Sequence, residues 1–352
     1  MKSTRSPVTL KDIAEKVGVS VTTVSRILNG RKTGIPIREE TREKVLSVAA
    51  ELEYKPNLLA RSLRGSSTLL LGVIARDISD PFHIQILQGI NETATKRGYR
   101  LFLGHVNYQP DAAIAYGAMF EQSHADGIIM IGDIEGDEAA LQVLLRQHRY
   151  VVGVTDRVAR REFPGVYGDS AVGTQLAMEH LWNLGHRNII CVSYPSIIDG
   201  KVRVDVYQQF MRERGAADKI RVYLSSQDPQ LSFQLGNEIF TSFDGPDRPT
   251  AIYAASDSIA IGLLQAAYQL GITVPDQVSI VGFDNIDISP FTVPPLTTIN
   301  QSGVEMGQTV ARLTLDMIEQ GRENSEVDDI ILTPTLVVRQ STAAPPKLGK
   351  NN

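Results

Sequence analysis

Hydrophobic positions in the first fifth of the chain recur with the spacing of short amphipathic helices. Two pairs of apolar residues are separated by a segment containing Gly18, which suits a turn that needs positive φ. The pairs are Ile13 with Val17 and Val24 with Ile27. Apolar residues three or four apart share one face of a helix. This pattern predicts two short helices joined by a turn, and a third helix over about 39–54.

From Leu69 onward, short continuous apolar runs alternate with helical stretches. Runs such as LLLGVIA, DGIIMIG and NIICVSY lack the polar alternation of a half-exposed strand. Parallel strands covered by helices on both faces have this composition. About ten such strands are too many for one small sheet. The sequence therefore predicts an all-α head followed by an α/β body of two lobes.

The composition of the 352 residues, with 42% hydrophobic and 21% charged, is that of a globular protein. No apolar run reaches the roughly 18 residues of a membrane span, and no signal-peptide core follows Met1. We therefore expect a cytoplasmic protein with no membrane partner.

The single cysteine, Cys191, lies in an apolar run, so we expect its side chain to be in the core. Neither it nor the six histidines has the spacing of metal ligands, so we expect no metal and no cofactor.

Charge is distributed unevenly along the chain. The whole sequence has a formal net charge of −5, whereas residues 1–65 contain 13 Lys and Arg against 7 Asp and Glu. A small basic head on an acidic body indicates an anionic partner for the head.

The two predicted short helices fit a helix-turn-helix, although a simple pair of packed helices has the same core pattern. In a DNA-binding helix-turn-helix, the N-terminal part of the second helix meets base edges in the major groove. Val21, Thr22 and Arg26 occupy those positions, and they suit contacts to thymine methyl groups and guanine. Ser20, Thr23 and Ser25 suit phosphate contacts or a helix cap.

A short helical segment follows at 57–64. Leu59 and Leu63 form an apolar stripe beside Arg61 and Arg64. Basic residues around an exposed leucine suit insertion into the minor groove, where an apolar wedge kinks the duplex. The spacing fits a linker between domains equally well.

Several motifs together resemble the LacI/GalR family of transcriptional repressors. In the head they are VTLKDIAEKVGVSVTTVSRILNG, TREKV and YKPNLLARSLRG. In the body they include GYRLFLG, ADGIIM, LGHRNI, RPTAIYAASDSIAIGLL, VPDQVSIVGFDN and PPLTTINQ. The resemblance covers residues 8–341 and is carried by many motifs at once.

The resemblance implies a homodimer that binds double-stranded operator DNA with pseudo-palindromic half-sites. The paired hinge helices would meet at the operator centre, where each would insert Leu63. The loop over 30–38 is about three residues longer than is usual in the family. The remaining candidates for DNA binding are Asn29, Arg31, Tyr54, Asn57, Leu59, Ala60 and Arg64.

The resemblance also implies a body with a type I periplasmic-binding-protein fold. The expected domains are a helix-turn-helix domain at 1–56, a hinge helix and linker at 57–68, an effector-binding and dimerisation core at 69–342, and a disordered tail at 343–352. We expect an N-lobe of about 69–168 and 300–328, and a C-lobe of about 169–299 and 329–342.

In such a fold, the cleft between the lobes holds a small-molecule effector. Arg203 matches the arginine that grips the ligand, although Val206 replaces a glycine usual in the family. Asp284 matches an acidic residue that bonds ligand hydroxyls or a ring N–H, and Phe82 matches a stacking aromatic. The other candidates for effector binding are Asp156, Arg157, Ser256 and Asp257.

Alternatives remain open at the level of sequence. Carboxylates, an arginine and an aromatic ring favour a sugar, but they also suit a purine. Asp156, Asp257 and Asp284 could cap helices instead, and His83 could face either the cleft or the surface. Control by a protein partner is a further possibility. An enzyme is disfavoured because P-loop, G-x-G-x-x-G, G-x-S-x-G and H-E-x-x-H motifs are absent.

Overall fold

The computed structural model describes residues 8–28, 37–52, 54, 67–107, 109–132, 138–154, 162–194, 198–242 and 248–346. The chain forms two compact units, the head (Met1–Ser66) and the body (Ser67–Asn352). Some of the predicted site residues lie outside the described residues. These are Asn29, Arg31, Asn57, Leu59, Ala60, Leu63, Arg64, Asp156 and Arg157.

The head contains three helices, α1 (Leu10–Val17), α2 (Val21–Leu28) and α3 (Glu39–Glu51). A capping box starts α1, because Thr9 Oγ1 accepts a hydrogen bond from the Asp12 amide and Asp12 Oδ2 accepts one from the Thr9 amide. Gly18 ends α1 in the left-handed conformation, with φ of 80°. Its lack of a Cβ makes the tight turn into α2 possible.

The core of the head is made by the apolar residues that the sequence pattern identified. Ile13, Val24 and Val45, one from each helix, are completely buried. Ala14 is buried among them, where the helices approach closely. The predicted helix-turn-helix and third helix are therefore present, although α3 ends three residues before the expected position.

The body begins with β1 (Leu70–Ala75), α4 (Pro81–Lys96), β2 (Arg100–His105), α5 (Pro110–Gln122), β3 (Gly127–Ile131), α6 (Glu138–Gln147), β4 (Val151–Val154) and β5 (Gly165–Gly168). It continues with α7 (Ser170–Asn183), β6 (Ile189–Ser193), α8 (Ile198–Glu213), β7 (Val222–Leu224), α9 (Pro229–Ser242), β8 (Ala251–Ala254), α10 (Asp257–Gln269) and β9 (Ser279–Asp284). Its last elements are β10 (Thr297–Asn300), α11 (Gly303–Gln320), β11 (Ile330–Leu332) and β12 (Thr335–Val337).

The strands form two six-stranded sheets, one in each predicted lobe. The N-lobe sheet has the order β11-β5-β4-β3-β1-β2 and the C-lobe sheet has the order β12-β10-β9-β8-β6-β7. Neighbouring strands pair in parallel except β10 with β12. The central strands β3, β4, β6, β8 and β9 are buried along their whole length, as their continuous apolar sequences predict.

The chain passes between the two sheets three times, and the last passage differs from the prediction. β11 pairs in parallel with β5 in the N-lobe sheet, with Ile330 opposite Val166. The N-lobe therefore extends to Leu332, and the passage lies at 333–334 rather than at the predicted 328–329. A three-residue strand is too short to reveal by its pattern which sheet it joins.

The C-terminal segment is anchored to the C-lobe beyond the predicted start of the disordered tail. His186 Nε2 lies 2.8 Å from the carbonyl oxygen of Ala343, and the Ala343 amide donates to Ser279 Oγ. Burial lowers the pKa of His186, which keeps its ring neutral, with Nε2–H donating and Nδ1 accepting from Thr250 Oγ1. The tail prediction fails at Ala343 because these contacts come from residues that are distant in the sequence. Residues 347–352 lie outside the described residues.

Helices α4 and α11 approach so closely that only glycine fits at the crossing. A Cβ on Gly89 would lie 2.0 Å from the Val304 carbonyl oxygen, and one on Gly307 would lie 2.0 Å from that of Ile86. We expect Gly89→Ala to lower the free energy of unfolding by about 1–3 kcal/mol, because backbone atoms must shift to make room. Thermal and denaturant unfolding would measure the loss.

The matched control is Gln88→Ala, an exposed position on the same helix. It should remain within about 0.5 kcal/mol of the wild type. Wild-type stability of Gly89→Ala would contradict the close approach of the two helices.

Candidate functional site

Helix α2 presents the predicted DNA-reading residues of the head. Val21 and Thr22 are exposed at its N-terminus, and Arg26 is half-buried one turn further along. Ser20 Oγ accepts a hydrogen bond from the Thr23 amide at 3.1 Å and lies 2.9 Å from Thr23 Oγ1. Ser20 therefore caps α2, and the cap aims Val21 and Thr22 away from the core of the head.

Two further head predictions fall on half-buried positions. Ser25 is half-buried on α2. Tyr54 packs partly buried against the core of the head, and its amide donates to the Ala49 carbonyl at 2.9 Å.

A cavity lies in the body between the carboxyl ends of the strands of the two sheets. Polar side chains from both lobes line it. Those from the N-lobe are Arg76, Asp80 and His83, and those from the C-lobe and the passages between lobes are Tyr194, Asp199, Arg203, Gln227, Asp284 and Gln301. Phe82 and Met306 contribute apolar surface.

Arg203 is held in place on all sides. Its Nη1 donates to the carbonyl of Ala255 at 2.6 Å and to Tyr194 Oη at 3.1 Å, and its Nε donates to Ser170 Oγ at 3.3 Å. The guanidinium carbon lies 3.8 Å from the ring centre of Phe283. Only 2% of the residue is exposed, so its charge acts with little screening by water.

Asp284 ends β9 in a strained conformation. Its φ is 111°, and the next residue, Asn285, has a φ of 55°. Asp284 Oδ1 accepts a hydrogen bond from Gln301 Nε2 at 2.6 Å and lies 3.7 Å from Arg203 Nη1. Burial raises the pKa of Asp284 well above its usual range, and the Arg203 charge opposes that shift. Strained residues at a cavity commonly mark a functional site.

Asp199 lies one helical turn before Arg203 on α8. Its Oδ2 accepts a hydrogen bond from Tyr194 Oη at 2.7 Å and lies 3.6 Å from Arg203 Nη2. Burial acts to raise the pKa of Asp199, but the charges of Arg203 and Arg76, with the hydrogen bonds from Tyr194 and the Gly200 amide, lower it below its usual value. Burial also raises the pKa of Tyr194 far above its usual value, so its hydroxyl remains a donor.

The N-lobe side of the cavity is built on the start of α4. Asp80 caps this helix, with Oδ1 accepting from the Phe82 amide at 2.9 Å. His83 Nδ1 lies 2.7 Å from the Asp77 carbonyl oxygen, so Nδ1 carries a proton. His83 Nε2 lies 3.5 Å from Arg76 Nη2, which places the histidine at the cavity rather than on the surface.

Three predicted effector residues line the cavity, and two do not. Phe82, Arg203 and Asp284 converge there. Ser256 instead caps α10, with Oγ accepting from the Ile259 amide at 3.2 Å. Asp257 is completely buried, and it accepts hydrogen bonds from the Ile286 amide, Ser289 Oγ and Thr298 Oγ1. The sequence offered a helix cap as the alternative for Asp257, but Ser256 makes that cap, and Asp257 instead binds residues that follow β9.

Sequence reasoning missed Arg76, Asp80, Tyr194, Asp199 and Gln301. Arg76 directly follows β1 and Tyr194 directly follows β6, and such strand ends meet at one edge of a parallel sheet. Asp199 precedes Arg203 by four residues, the spacing that places side chains on one helix face. These two signals could have identified most of the set.

Within the described residues, no helix has the length and apolar character to cross a membrane. The same residues contain no group of three or more His, Cys, Asp or Glu side chains placed to hold a metal ion. Cys191 is completely buried, and burial raises the pKa of its thiol.

Comparisons with known proteins agree with this architecture. Residues 9–57 match the model for bacterial regulatory proteins of the lacI family, and residues 178–342 match the model for a periplasmic binding protein-like domain. The transcriptional regulator DegA of Bacillus subtilis is 34% identical over 95% of this chain and 98% of its own. The repressor CytR of Escherichia coli K12 is 30% identical over 98% of this chain and 99% of its own.

Solved structures are similar over most of the chain. The Lac repressor dimer bound to operator and the anti-inducer ONPF has 27% identity and a TM-score of 0.82, over 96% of this chain and all of that one. A LacI family regulator from Enterococcus faecium with bound ribose has 27% identity and a TM-score of 0.70, over 78% of this chain and 99% of that one.

The helix-turn-helix head and the two-lobed body together define a ligand-responsive, DNA-binding transcriptional regulator rather than an enzyme. The chain belongs to the LacI family of bacterial regulatory proteins. The fold class and the functional class predicted from sequence are thereby confirmed.

The burial of Asp257 generates a prediction about pH. Burial raises its pKa from 3.8 to about 6, so the folded protein binds more protons than the unfolded chain between those values. The contribution of Asp257 to stability is therefore fully present at low pH and is lost as pH rises through 6. We expect the stability advantage of the wild type over Asp257→Asn to be about 1 kcal/mol larger at pH 5 than at pH 7.

Thermal unfolding of both proteins at the two pH values would measure this difference. Asp276→Asn, at an exposed position, is the control and should show no such dependence. A pH-independent difference between wild type and Asp257→Asn would contradict the assignment.

Proposed function

We propose that this protein is a cytoplasmic repressor that binds a pseudo-palindromic operator as a homodimer and responds to a small sugar in the cleft. Two similar proteins support a dimeric repressor that binds an operator. CytR is named a transcriptional repressor, and the Lac repressor structure is a dimer bound to its operator. In the head, Val21, Thr22 and Arg26 read bases, while Ser20 and Thr23 fix the start of the reading helix.

One observation carries the proposal for the effector. Three carboxylates from three separate elements face the same cavity: Asp80 from α4, Asp199 from α8 and Asp284 from β9. Carboxylates accept hydrogen bonds, so a fitting ligand presents several donors, as the hydroxyls of a sugar do. Bound ribose in the E. faecium regulator agrees with this chemistry.

A purine is the second candidate, and the aromatic lining favours it less. Phe82 and Tyr194 are the aromatic residues that line the cavity among the described residues. The Tyr194 hydroxyl is already bonded to Asp199 and Arg203. Phe82 alone can cover one apolar face of a sugar, whereas a purine gains most from aromatic contact on both faces.

The role of Arg26 is tested by operator selection from a random DNA library with full-length protein. We expect Arg26→Ala to lose preference at one base pair of each half-site, at a cost of about 1–3 kcal/mol, because a bidentate arginine contact discriminates by that amount. Gel-shift titrations on the selected operators would measure the cost.

Lys44→Ala removes the same charge from an exposed position on α3 and should leave the selected sequence unchanged. If Arg26→Ala selects the wild-type operator with undiminished preference, Arg26 does not read a base.

The effector proposal is tested by thermal shift and calorimetry of the full-length protein with neutral sugars and with purines. A ligand at 100 times its Kd stabilises the folded state by about 2.7 kcal/mol. We expect a neutral sugar to raise the Tm of the wild type and to have no effect on Asp284→Asn. Asn tolerates the positive φ at this position and therefore preserves the backbone.

Asp276→Asn should respond like the wild type, because it lies on the surface. A shift caused by purines alone would replace the sugar with the second candidate. A normal sugar response in Asp284→Asn would remove Asp284 from the site.

A further inference from the structure

Asp199 places a carboxylate at the wall of the cavity. Its Oδ2 accepts a hydrogen bond from Tyr194 Oη, the Gly200 amide also bonds to the carboxylate, and Oδ1 is buried from solvent. Each carboxylate oxygen has two lone pairs, so the group can accept a further hydrogen bond. The side chain is 14% exposed and lines the cavity, so its charge lies beside any bound molecule.

The positive charges among the described residues of the cavity are already balanced. Among the described lining residues, two arginines, Arg76 and Arg203, face three carboxylates. If the raised pKa keeps Asp284 protonated, the charges cancel; if Asp284 ionises, the cavity has a net negative charge. In neither case does the described lining offer surplus positive charge to an incoming anion.

Arg203 also has little capacity left for an anion. Its Nη1 and Nε donate to Ala255, Tyr194 and Ser170, and its Nη2 lies 3.6 Å from Asp199. An arginine that recognises a phosphate or carboxylate presents two parallel N–H groups to it. Here a ligand anion would have to displace Asp199, which would leave that carboxylate buried without its partner.

We infer that Asp199 restricts the effector to uncharged ligands: its carboxylate accepts a ligand hydroxyl, and its charge rejects phosphorylated and acidic relatives of the same compound. This inference rests on the proposed function, since it concerns the effector of the same cleft. Asp199 is thus a specificity-determining residue that contacts the ligand.

The test compares pairs of ligands that differ in charge. Calorimetry of full-length wild type would use D-ribose with ribose 5-phosphate, D-glucose with glucose 6-phosphate and with glucuronate, and adenosine with AMP. We expect one uncharged compound to bind at least about 100-fold more tightly than its anionic partner.

Asp199→Asn keeps an oxygen for the Tyr194 hydroxyl and removes the charge. We expect it to bind the uncharged compound about tenfold more weakly, because a charge-assisted hydrogen bond becomes a neutral one. The same variant should bind the anionic partner more tightly than the wild type does. Asp205→Asn, at an exposed position on the same helix, should match the wild type for both.

Each remaining outcome overturns a defined part of the argument. Equal or tighter binding of the anionic member by the wild type, or unchanged binding of both members by Asp199→Asn, would overturn the role of Asp199. Binding of adenosine but not AMP, with no binding of ribose or glucose, would overturn the sugar proposal while supporting the charge rule. No binding by any compound would overturn the effector proposal and this inference together.

Discussion

The cleft depends on one buried guanidinium. Arg203 lies against the Phe283 ring and within 4 Å of both Asp199 and Asp284, so it balances two carboxylates that burial would otherwise destabilise. Its planar group donates in several directions at once, which a lysine ammonium on a flexible stem could not reproduce. Loss of Arg203 would remove the charge that compensates Asp284 and one of the two that compensate Asp199, so the polar lining would have to rearrange.

The two lobes are joined through the segment that follows Asp284. Gln85 on α4 of the N-lobe donates to Asp287 Oδ1 at 2.8 Å and to the Asn285 carbonyl at 3.2 Å in the C-lobe. Gln301, on a passage between the lobes, donates to Asp284 itself. A ligand that binds Asp284 therefore acts on bonds that hold α4 against the C-lobe. A preference of the ligand for one arrangement of these bonds would shift the balance between lobe orientations.

Local interactions explain why the head could be predicted and part of the body could not. Thr9 with Asp12, and Gly18 in the turn, act within a few residues, so their spacing is visible in the sequence. The longer buried strands could also be predicted, because each is a run of consecutive apolar residues in the sequence. Strands of three or four residues, such as β7 and β11, have too few positions for a pattern, and only pairing assigns them to a sheet. At the site, Asp257 and Asp284 both lie next to strand ends. Which of them faces the cleft depends on Ser289 and Thr298, which fold back over Asp257.

Asp257 nevertheless serves the site that it does not line. Asp284 and Asn285 adopt positive φ angles that cost free energy in residues other than glycine. Glycine would relieve the strain but would remove the carboxylate that faces the cleft. Hydrogen bonds from neighbouring residues therefore have to stabilise this conformation. Asp257 binds the Ile286 amide at 3.0 Å, and Arg339 donates to Asn285 Oδ1 at 2.7 Å, so both sides of the strained pair are fixed. The geometry of Asp284 at the cavity thus depends on a buried, structural carboxylate that binds the amide two residues after it.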